Sequence, residues 1–411
     1  MTRTLAFVGG GHAHVYVLKH LASKQKQLKE LDVEVVLIAK DIMTPYSGML
    51  PGYIAGHYTY EDIHIDLAKI CNYANIRLIH AACMQIIYHS DASHTTENDD
   101  GNDNQSNNHS NRRGTCICDN GERIDFDCLS INVGSAPSVA SQSLRNNPKV
   151  ISVKPISEFC NFYIELKERL QRLQQNSSSA SASTPIKHRI GVVGGGAGAI
   201  EVILSMQHSL QRLLDDTAKQ QQQHQQPQNP IELEMVLFTR GTSLLKQHNH
   251  SVRQCFQRVL KERNIQVHYS AEVINVETLP DDRLQLKLRG TALQPSDLIV
   301  DECLLCTTAD GASWLSQSTP FRTDANGFLM VESTYQVVDA PGVFAGGDCC
   351  GMVDHPRPKG ELRVPCLMRL VHSVCLFVAV AIVAVVAVQA RVCSHVFSVH
   401  RCPIGSCNIV F

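Results

Sequence analysis

Two stretches of the chain share one pattern: a short unbroken apolar run, a glycine-rich break, then apolar positions spaced as on a helix. Such a run reads as a strand buried on both faces, and the spacing after it predicts an amphipathic helix. The first stretch predicts a strand over Thr4–Val8, a helix from about Ala13 to Ser23 and a second strand over Val33–Ala39. The second predicts a strand ending at Val193, a helix over Ala199–Leu214 and a strand over Leu233–Phe238. Leu298–Thr307 reads as one further strand, and Leu78–Tyr88 pairs with Gly114–Cys118 across a hairpin loop. Three polar tracts interrupt this order: Asp91 to Arg113, Gln174 to Thr184 and the glutamine-rich Lys219 to Pro230. None has enough apolar surface to offset the cost of ordering a chain, so all three read as surface insertions or linkers.

Composition narrows the classes. A chain of 411 residues has room for two domains, and 44% apolar residues with a formal charge of -2 describe no nucleic-acid binder. The chain enters its first strand with no signal segment ahead of it, which makes the cytoplasm the expected location. Sixteen cysteines are scattered through apolar strands and helical stretches, as buried thiols are. Cys303 and Cys306 match Cys-x-x-Cys, but on a strand positions three apart face opposite ways, so packing is expected there. Cys116-Ile-Cys118 and Cys349-Cys350 have no second ligand pair at metal spacing, and no metal site is expected.

The glycine breaks carry the chemistry. In a dinucleotide fold the first glycine permits the tight turn and the second lets the backbone approach the pyrophosphate. The third lets helix and strand pack closely, while the helix N-terminus offers N–H groups to the phosphates. In Leu5-Ala-Phe-Val-Gly-Gly-Gly-His-Ala-His14, Gly9 and Gly11 fill the first two roles and His14 occupies the third position. The acid expected to bind the ribose is missing, because the next strand ends in Lys40-Asp41; a contact from Asp41 to a ribose hydroxyl is the less favoured reading. The second loop is better formed, with Gly194, Gly196 and Ala199, and Glu201 opening the helix. Its partner strand ends in Thr239-Arg240; Arg240 either neutralises a 2′-phosphate, favouring NADPH, or is a solvated strand end, and both NADH and NADPH stay open. A late Val343-Phe-Ala-Gly-Gly-Asp348 suggests that the chain returns to the first fold after completing the second. The fold class is therefore α/β, with two Rossmann-like domains in series.

Several motifs in register carry a resemblance: Gly9-Gly-Gly-His-Ala-His-Val15, Thr44-Pro-Tyr-Ser-Gly-Met-Leu-Pro-Gly52, Ile54-Ala-Gly-His-Tyr58, His64-Ile-Asp-Leu67, Leu129-Ser-Ile-Asn-Val-Gly-Ser-Ala-Pro137, Val153-Lys-Pro-Ile156 and Ala345-Gly-Gly-Asp348. Together they resemble the pyridine nucleotide-disulfide oxidoreductase superfamily. Within it they are similar to the NADH-dehydrogenase-like module often fused ahead of selenide, water dikinase (selenophosphate synthase).

The resemblance implies an FAD domain over 1–155 and 309–359, interrupted by an NAD(P)H domain over 156–308. It implies Gly9, Gly11 and His12 at the FAD pyrophosphate, Gly134 in the crossing turn, and Gly347 with Asp348 at the flavin ribitol. Pro45, Tyr46 and Ser47 become candidate flavin neighbours, Tyr46 being equally readable as core packing. Gly194, Gly196, Gly198, Glu201 and Arg240 would line the nicotinamide nucleotide. Disulfide reductases of this superfamily place a close cysteine pair against the flavin, and between Ile38 and Cys71 this chain has no cysteine. Electrons would then leave to an external acceptor such as a quinone, as in the similar type II NADH dehydrogenases. The cofactors carry the hydride chemistry, and no side-chain acid or base is named for it. Two other expectations stand beside this one: a cofactor-binding regulatory module serving a selenophosphate synthase partner, and a truncated inactive product.

The pattern breaks after Lys359. From Val364 on there are three arginines, no lysine, no acid and five cysteines, and Val374–Val388 is an apolar run of 15 residues. Counted from Leu370 the run reaches 19, against the ~20 a membrane helix needs. The tail (360–411) is read either as a membrane anchor through 370–388 or, preferably, as a gene-model artefact, because codons for Gly360-Glu-Leu362 can spell a splice-donor string.

Overall fold

A computed structural model describes residues 2–89, 113–138, 144, 146–176, 185–223, 231–289, 298–307 and 309–354. In chain order its main elements are β1 (Arg3–Val8), α1 (His12–Leu21), β2 (Val33–Ala39), β3 (Arg77–His80), β4 (Cys128–Ile131), β5 (Val150–Ser152), α2 (Ile156–Asn176), β6 (Ile186–Val193), α3 (Ala197–Gln223), β7 (Ile231–Phe238), α4 (His250–Glu262), β8 (Gln266–His268), β9 (Glu302–Leu305) and β10 (Val343–Ala345). By packing they fall into two units. The first takes 1–44, 66–135 and the described residues from Gly311 on; the second takes Pro45–Ile65 and Ala136–Asp310.

Each unit is built on one five-stranded parallel sheet. The first has the order β10-β4-β1-β2-β3 and the second β5-β9-β6-β7-β8. In both, the strand before the glycine break lies at the centre, the next two strands go outward on one side, and a later strand pairs on the other; beyond it the edge is β10 in the first sheet and the early β5 in the second. The carboxyl halves of the central strands are apolar because both faces are covered: Leu5 to Val8 are at most 2% exposed, as are Ile190 and Val192. Helix α1 buries Ala13, His14, Val15, Val17, Leu18 and Leu21, and Lys19 stands in its last turn, where a cation suits the dipole. In the second unit α2 packs on α3, with Tyr163 fully buried and its hydroxyl donating to the Ile54 carbonyl at 3.0 Å.

Three expectations need correction. Leu298–Thr307 is two strands: Ile299–Val300 joins an antiparallel sheet with Leu284–Arg289, and after Asp301 the chain enters β9. Asp301 makes the break, its carboxylate and its N–H both engaging the Arg189 backbone. Leu78–Tyr88 likewise divides into β3 and a strand Cys83–Tyr88, and only the latter pairs antiparallel with Gly114–Cys118. The starts of two tracts read as linkers are helical: α2 runs to Asn176 and α3 to Gln223. Gln174 and Gln221 are buried there, Gln221 Nε2 donating to the Gln174 carbonyl (3.0 Å) and Gln174 Nε2 to the Leu214 carbonyl (3.1 Å). The tail from residue 360, with its apolar run, lies outside the described residues. Among the described residues no helix is long and apolar enough to cross a membrane.

Candidate functional site

Three chain breaks meet at the carboxyl ends of adjacent strands of the first sheet. The Gly9-Gly10-Gly11 turn follows β1, Asn132 follows β4, and Gly347-Asp348 follows β10. Gly9 has φ +95°, and a Cβ built on it would lie 2.4 Å from the Asn132 carbonyl oxygen. A Cβ on Gly11 would lie 1.5 Å from Asn132 Oδ1, so the Asn132 side chain occupies the space that the missing Cβ leaves. The Gly11 N–H donates to the Asn132 carbonyl (3.1 Å) and the Asn132 N–H to Val8 (2.8 Å), which sews turn and strand together. Helix α1 starts here; its first i→i−4 bond runs from Val15 N–H to the Gly11 carbonyl, leaving the amides ahead of it outside the ladder.

His14 explains how a helix can pack here without the third glycine. It is wholly buried, its Nδ1 2.6 Å from the Gly9 carbonyl oxygen and its Nε2 2.9 Å from Ser130 Oγ. A carbonyl only accepts, so Nδ1 carries the proton and Nε2 accepts from the serine. The ring meets Phe7 edge-on at 4.9 Å. Burial pushes its pKa down to about 4, against the smaller upward pull of the Gly9 carbonyl, so the imidazole is neutral. It pins the glycine turn from inside. His12, two residues earlier at the start of α1, is half-buried and also shifted downward by burial.

Asn132 is the residue that sequence reasoning missed. It is 4% exposed, and its Nδ2 is buried with no hydrogen-bond partner among the described residues. A Cβ on Gly347 would lie 3.3 Å from both amide heteroatoms, so the amide stands between the glycine turn and the Asp348 loop. An orphaned donor in such a place costs roughly 1–3 kcal/mol unless a ligand acceptor completes it. The signal was present: a lone Asn directly after an apolar strand and two residues before Gly134. Gly134 itself adopts φ +71° in the turn leaving β4, and Asp348 is half-buried in the short turn Gly347–Cys349. A cradle closed to any Cβ, a helix N-terminus and an unmatched buried donor together fit FAD, whose phosphates and ribitol hydroxyls are acceptors.

The second unit repeats the cradle. Gly194 N–H donates to the Phe238 carbonyl (2.9 Å), and a Cβ on Gly194 would strike the Cys306 carbonyl at 2.3 Å. At Gly196 and Gly198 an added Cβ would meet nothing within 4 Å, so the backbone there faces open space at the start of α3. Glu201, the fifth residue of α3, is exposed. After β7, Thr239 is buried with its hydroxyl against Gly195, and Arg240 is exposed. Leu245 N–H donates to the Gly195 carbonyl (2.9 Å), tying the segment after β7 to the glycine turn. Pro45, Tyr46 and Ser47 group with this unit; Tyr46 is 37% exposed, its N–H bonded to the Ile63 carbonyl, and Leu50, Ile54 and Ile63 enter the unit's core.

The thiols stay within packing. Cys303 joins one core cluster of the second unit and Cys306 packs against the other, as strand alternation requires; burial pushes both up to about 12. Cys349 and Cys350 are buried free thiols. Strand register sets Cys83 opposite Cys118, and the Cys116 thiol hydrogen-bonds Cys83, a third member of that group that spacing alone did not show. No group of three or more His, Cys, Asp or Glu among the described residues could hold a metal ion.

Known proteins agree with this architecture. The chain is 31% identical over 115 residues to "Oxidoreductase ptaL" of Pestalotiopsis fici, a match covering 28% of this chain and 29% of that protein. Its fold is similar to the sulfide:quinone oxidoreductase of Aquifex aeolicus, with TM-score 0.60, 15% identity, 96% of this chain and 77% of that one. It is also similar to an engineered water-forming NADPH oxidase bound to NADPH, with TM-score 0.57, 14% identity, 84% of this chain and 62% of that one. The chain thus spans less than two thirds of the first curated relative and of that oxidase. The model of the pyridine nucleotide-disulphide oxidoreductase family matches residues 3–369, across both sheets and all three glycine-bearing breaks, and the chain belongs to that family.

Proposed function

We propose that the chain is an FAD-dependent oxidoreductase that accepts hydride from NAD(P)H and passes the electrons to an external acceptor, a quinone first among candidates, without a redox-active dithiol. The observation that carries this reading is the duplicated cradle: two five-stranded parallel sheets, each with a glycine turn at the carboxyl end of its central strand and the next two strands running outward on one side. One cradle per cofactor is what a hydride relay between two dinucleotides requires. Residues 39–70 contain no cysteine, which supports an acceptor outside the protein.

Bound FAD would supply a two-electron acceptor that can release electrons singly. The chain's own part is placement. The α1 N-terminus and the Gly9–Gly11 turn would hold the pyrophosphate, with His12 at the helix start. Asn132 would donate to it or to the ribitol, and Asp348 would accept from ribitol hydroxyls. In the second unit Gly194, Gly196, Gly198 and Glu201 would line the nicotinamide nucleotide, with Arg240 at its adenosine end. Pro45, Tyr46 and Ser47 enter the proposal as flavin neighbours on motif resemblance alone. The described engineered oxidase carries an Asp-Ala-Met stretch changed to Ala-Arg-Ser and, five positions on, a Pro changed to Arg. Here Thr239-Arg240-Gly241 and Lys246 show the same spacing of a non-acid, an arginine, a small residue and a later cation.

The test is reconstitution. The purified chain, supplied with FAD, should be yellow, and anaerobic NADH or NADPH should bleach it in a stopped-flow experiment, with a quinone restoring the colour. Protein that stays colourless with added FAD, or flavin that neither nucleotide bleaches, defeats the proposal. Association with a selenophosphate synthase is tested in parallel, as stimulation of that partner when the chain is added.

A further inference from the structure

We propose that Cys83 is a site of reversible oxidation by hydroperoxides, with Cys116 as the thiol that closes the product to a disulfide. The proposal goes beyond the hydride relay and asks nothing of either nucleotide. Three free thiols gather on one face of a hairpin in the first unit, formed by the strands Cys83–Tyr88 and Gly114–Cys118. Strand alternation sets Cys116 and Cys118 on the same buried side, with the less buried Ile117 between them. Register sets Cys83 opposite Cys118, and the Cys116 thiol hydrogen-bonds Cys83. The ladder is irregular at this point. Ile86 stands opposite Cys116, so the strand holding Cys83 carries one residue more than its partner over the same stretch. Met84 and Gln85, beside Cys83, are consequently both exposed, whereas a regular strand would turn one of them inward.

The three thiols are not equivalent. The Cys116 thiol, donating to Cys83, holds Cys83 below its ordinary pKa against the opposing effect of burial, and the backbone at Gln85 and Ile117 adds to it. The same bond works the other way on Cys116, which burial raises further, and burial pushes Cys118 up to about 11. A thiolate is the nucleophile in thiol oxidation, so Cys83 is the member that reacts. Cys83 is 8% exposed between exposed neighbours, and hydrogen peroxide is hardly larger than water. In the first step the Cys83 sulfur attacks one peroxide oxygen. The S–O bond forms as the O–O bond breaks, the sulfur gives up two electrons, and the other oxygen leaves as water with the former thiol proton. The Cys116 sulfur then attacks the sulfenic sulfur of Cys83, and the hydroxyl departs with the Cys116 proton as a second water. Two thiols and one peroxide thus give one disulfide and two waters, and an external dithiol returns both thiols by exchange.

Peptide mapping of the full chain, supplied with FAD and briefly exposed to hydrogen peroxide at neutral pH, tests this without turnover. Free thiols are alkylated before digestion. Trypsin separates Cys83, in 78–112, from Cys116 and Cys118, in 114–123. The bridge should appear as these two peptides joined, with fragmentation placing the alkyl group on Cys118 and dithiothreitol parting the pair. Cys83 should lose its free thiol at least about tenfold faster than Cys71 or Cys128, which burial pushes up to about 11 and about 12; each pKa unit is about a factor of ten in thiolate. With Cys116→Ser and Cys118→Ser combined, the reaction should stop at a sulfenic acid on Cys83, captured by dimedone. Cys83→Ser should leave Cys116 and Cys118 free. A bridge to Cys118 with Cys116 alkylated, or a Cys83 that reacts no faster than Cys71, overturns the proposal, and the map of the unaltered chain decides this even where a variant fails to fold. Either result leaves the flavoenzyme reading intact.

Discussion

Lowering the pH should loosen the first unit through one residue, His14. An unfolded histidine takes its proton near 6.5, whereas folded His14 does so only at about 4, because burial opposes the charged ring. Between those values the unfolded chain holds a proton that the folded one does not, so stability is complete above about 6.5 and falls as pH drops toward 4. Below about 4 both states are protonated and the loss levels off. The span is worth roughly 3 kcal/mol, or a shift of about 1–2 M in a urea midpoint. The chain's single tryptophan, Trp314, lies in the first unit in the helix Ser313–Gln317, so its fluorescence reports on the relevant part. Other groups titrate in the same range, and His14→Asn isolates the term: its amide can still donate to the Gly9 carbonyl but cannot take up a proton. At pH 7.5 the variant should be weaker by about 1–3 kcal/mol, having lost the Ser130 partner and the Phe7 contact. Toward pH 4 the two curves should converge. A gap that stays constant from pH 7.5 to 4 refutes the argument. Because His14 pins the glycine turn, FAD should be released over the same interval in the native chain.

Other predictions concern the cradles and the thiols. Gly11→Ala should fold yet retain little FAD, since the new Cβ must drive the Asn132 side chain out of its place; absorbance of the gel-filtered protein at the flavin band reads this. Asn132→Leu should separate stability from binding. Removing an unmatched buried donor leaves the apoprotein melting at the same temperature or higher, while FAD affinity falls by about tenfold. A lower melting temperature with unchanged affinity would show Asn132 to be structural. Cys349→Ser with Cys350→Ser should leave flavin bleaching by NAD(P)H unaltered, because electrons in this scheme do not pass through a dithiol.

Much of this was readable from the chain alone. Val33–Ala39 forms the strand that its apolar run from Val35 to Ala39 predicts, and both glycine breaks lie between a central strand and a helix. Parallel strands buried on both faces announce themselves because composition must match burial. Elements settled by a partner far along the chain did not. Gln221 is buried because the helix from Ile156 offers it a carbonyl, and nothing in a glutamine run shows that partner. Asp301 splits a run of strand-forming residues through a bond to Arg189, more than a hundred positions earlier. His14 looked like a lost glycine until Ser130 and the Gly9 carbonyl gave it two partners. Asn132 became a candidate only when its amide was found between two loops that the sequence sets far apart.

The strand order of the first sheet also sets a timetable for synthesis. β10 pairs with β4, Val343 opposite Leu129, so that sheet keeps an open edge until the chain beyond Ala345 has left the ribosome. The other sheet needs nothing later than Leu305. A nascent chain halted between those points should therefore hold a protease-resistant second unit beside an unfinished first one, exposed to strand-seeking neighbours. Asp348 emerges last of all the cradle residues, and flavin capture would mark the end of folding rather than its beginning.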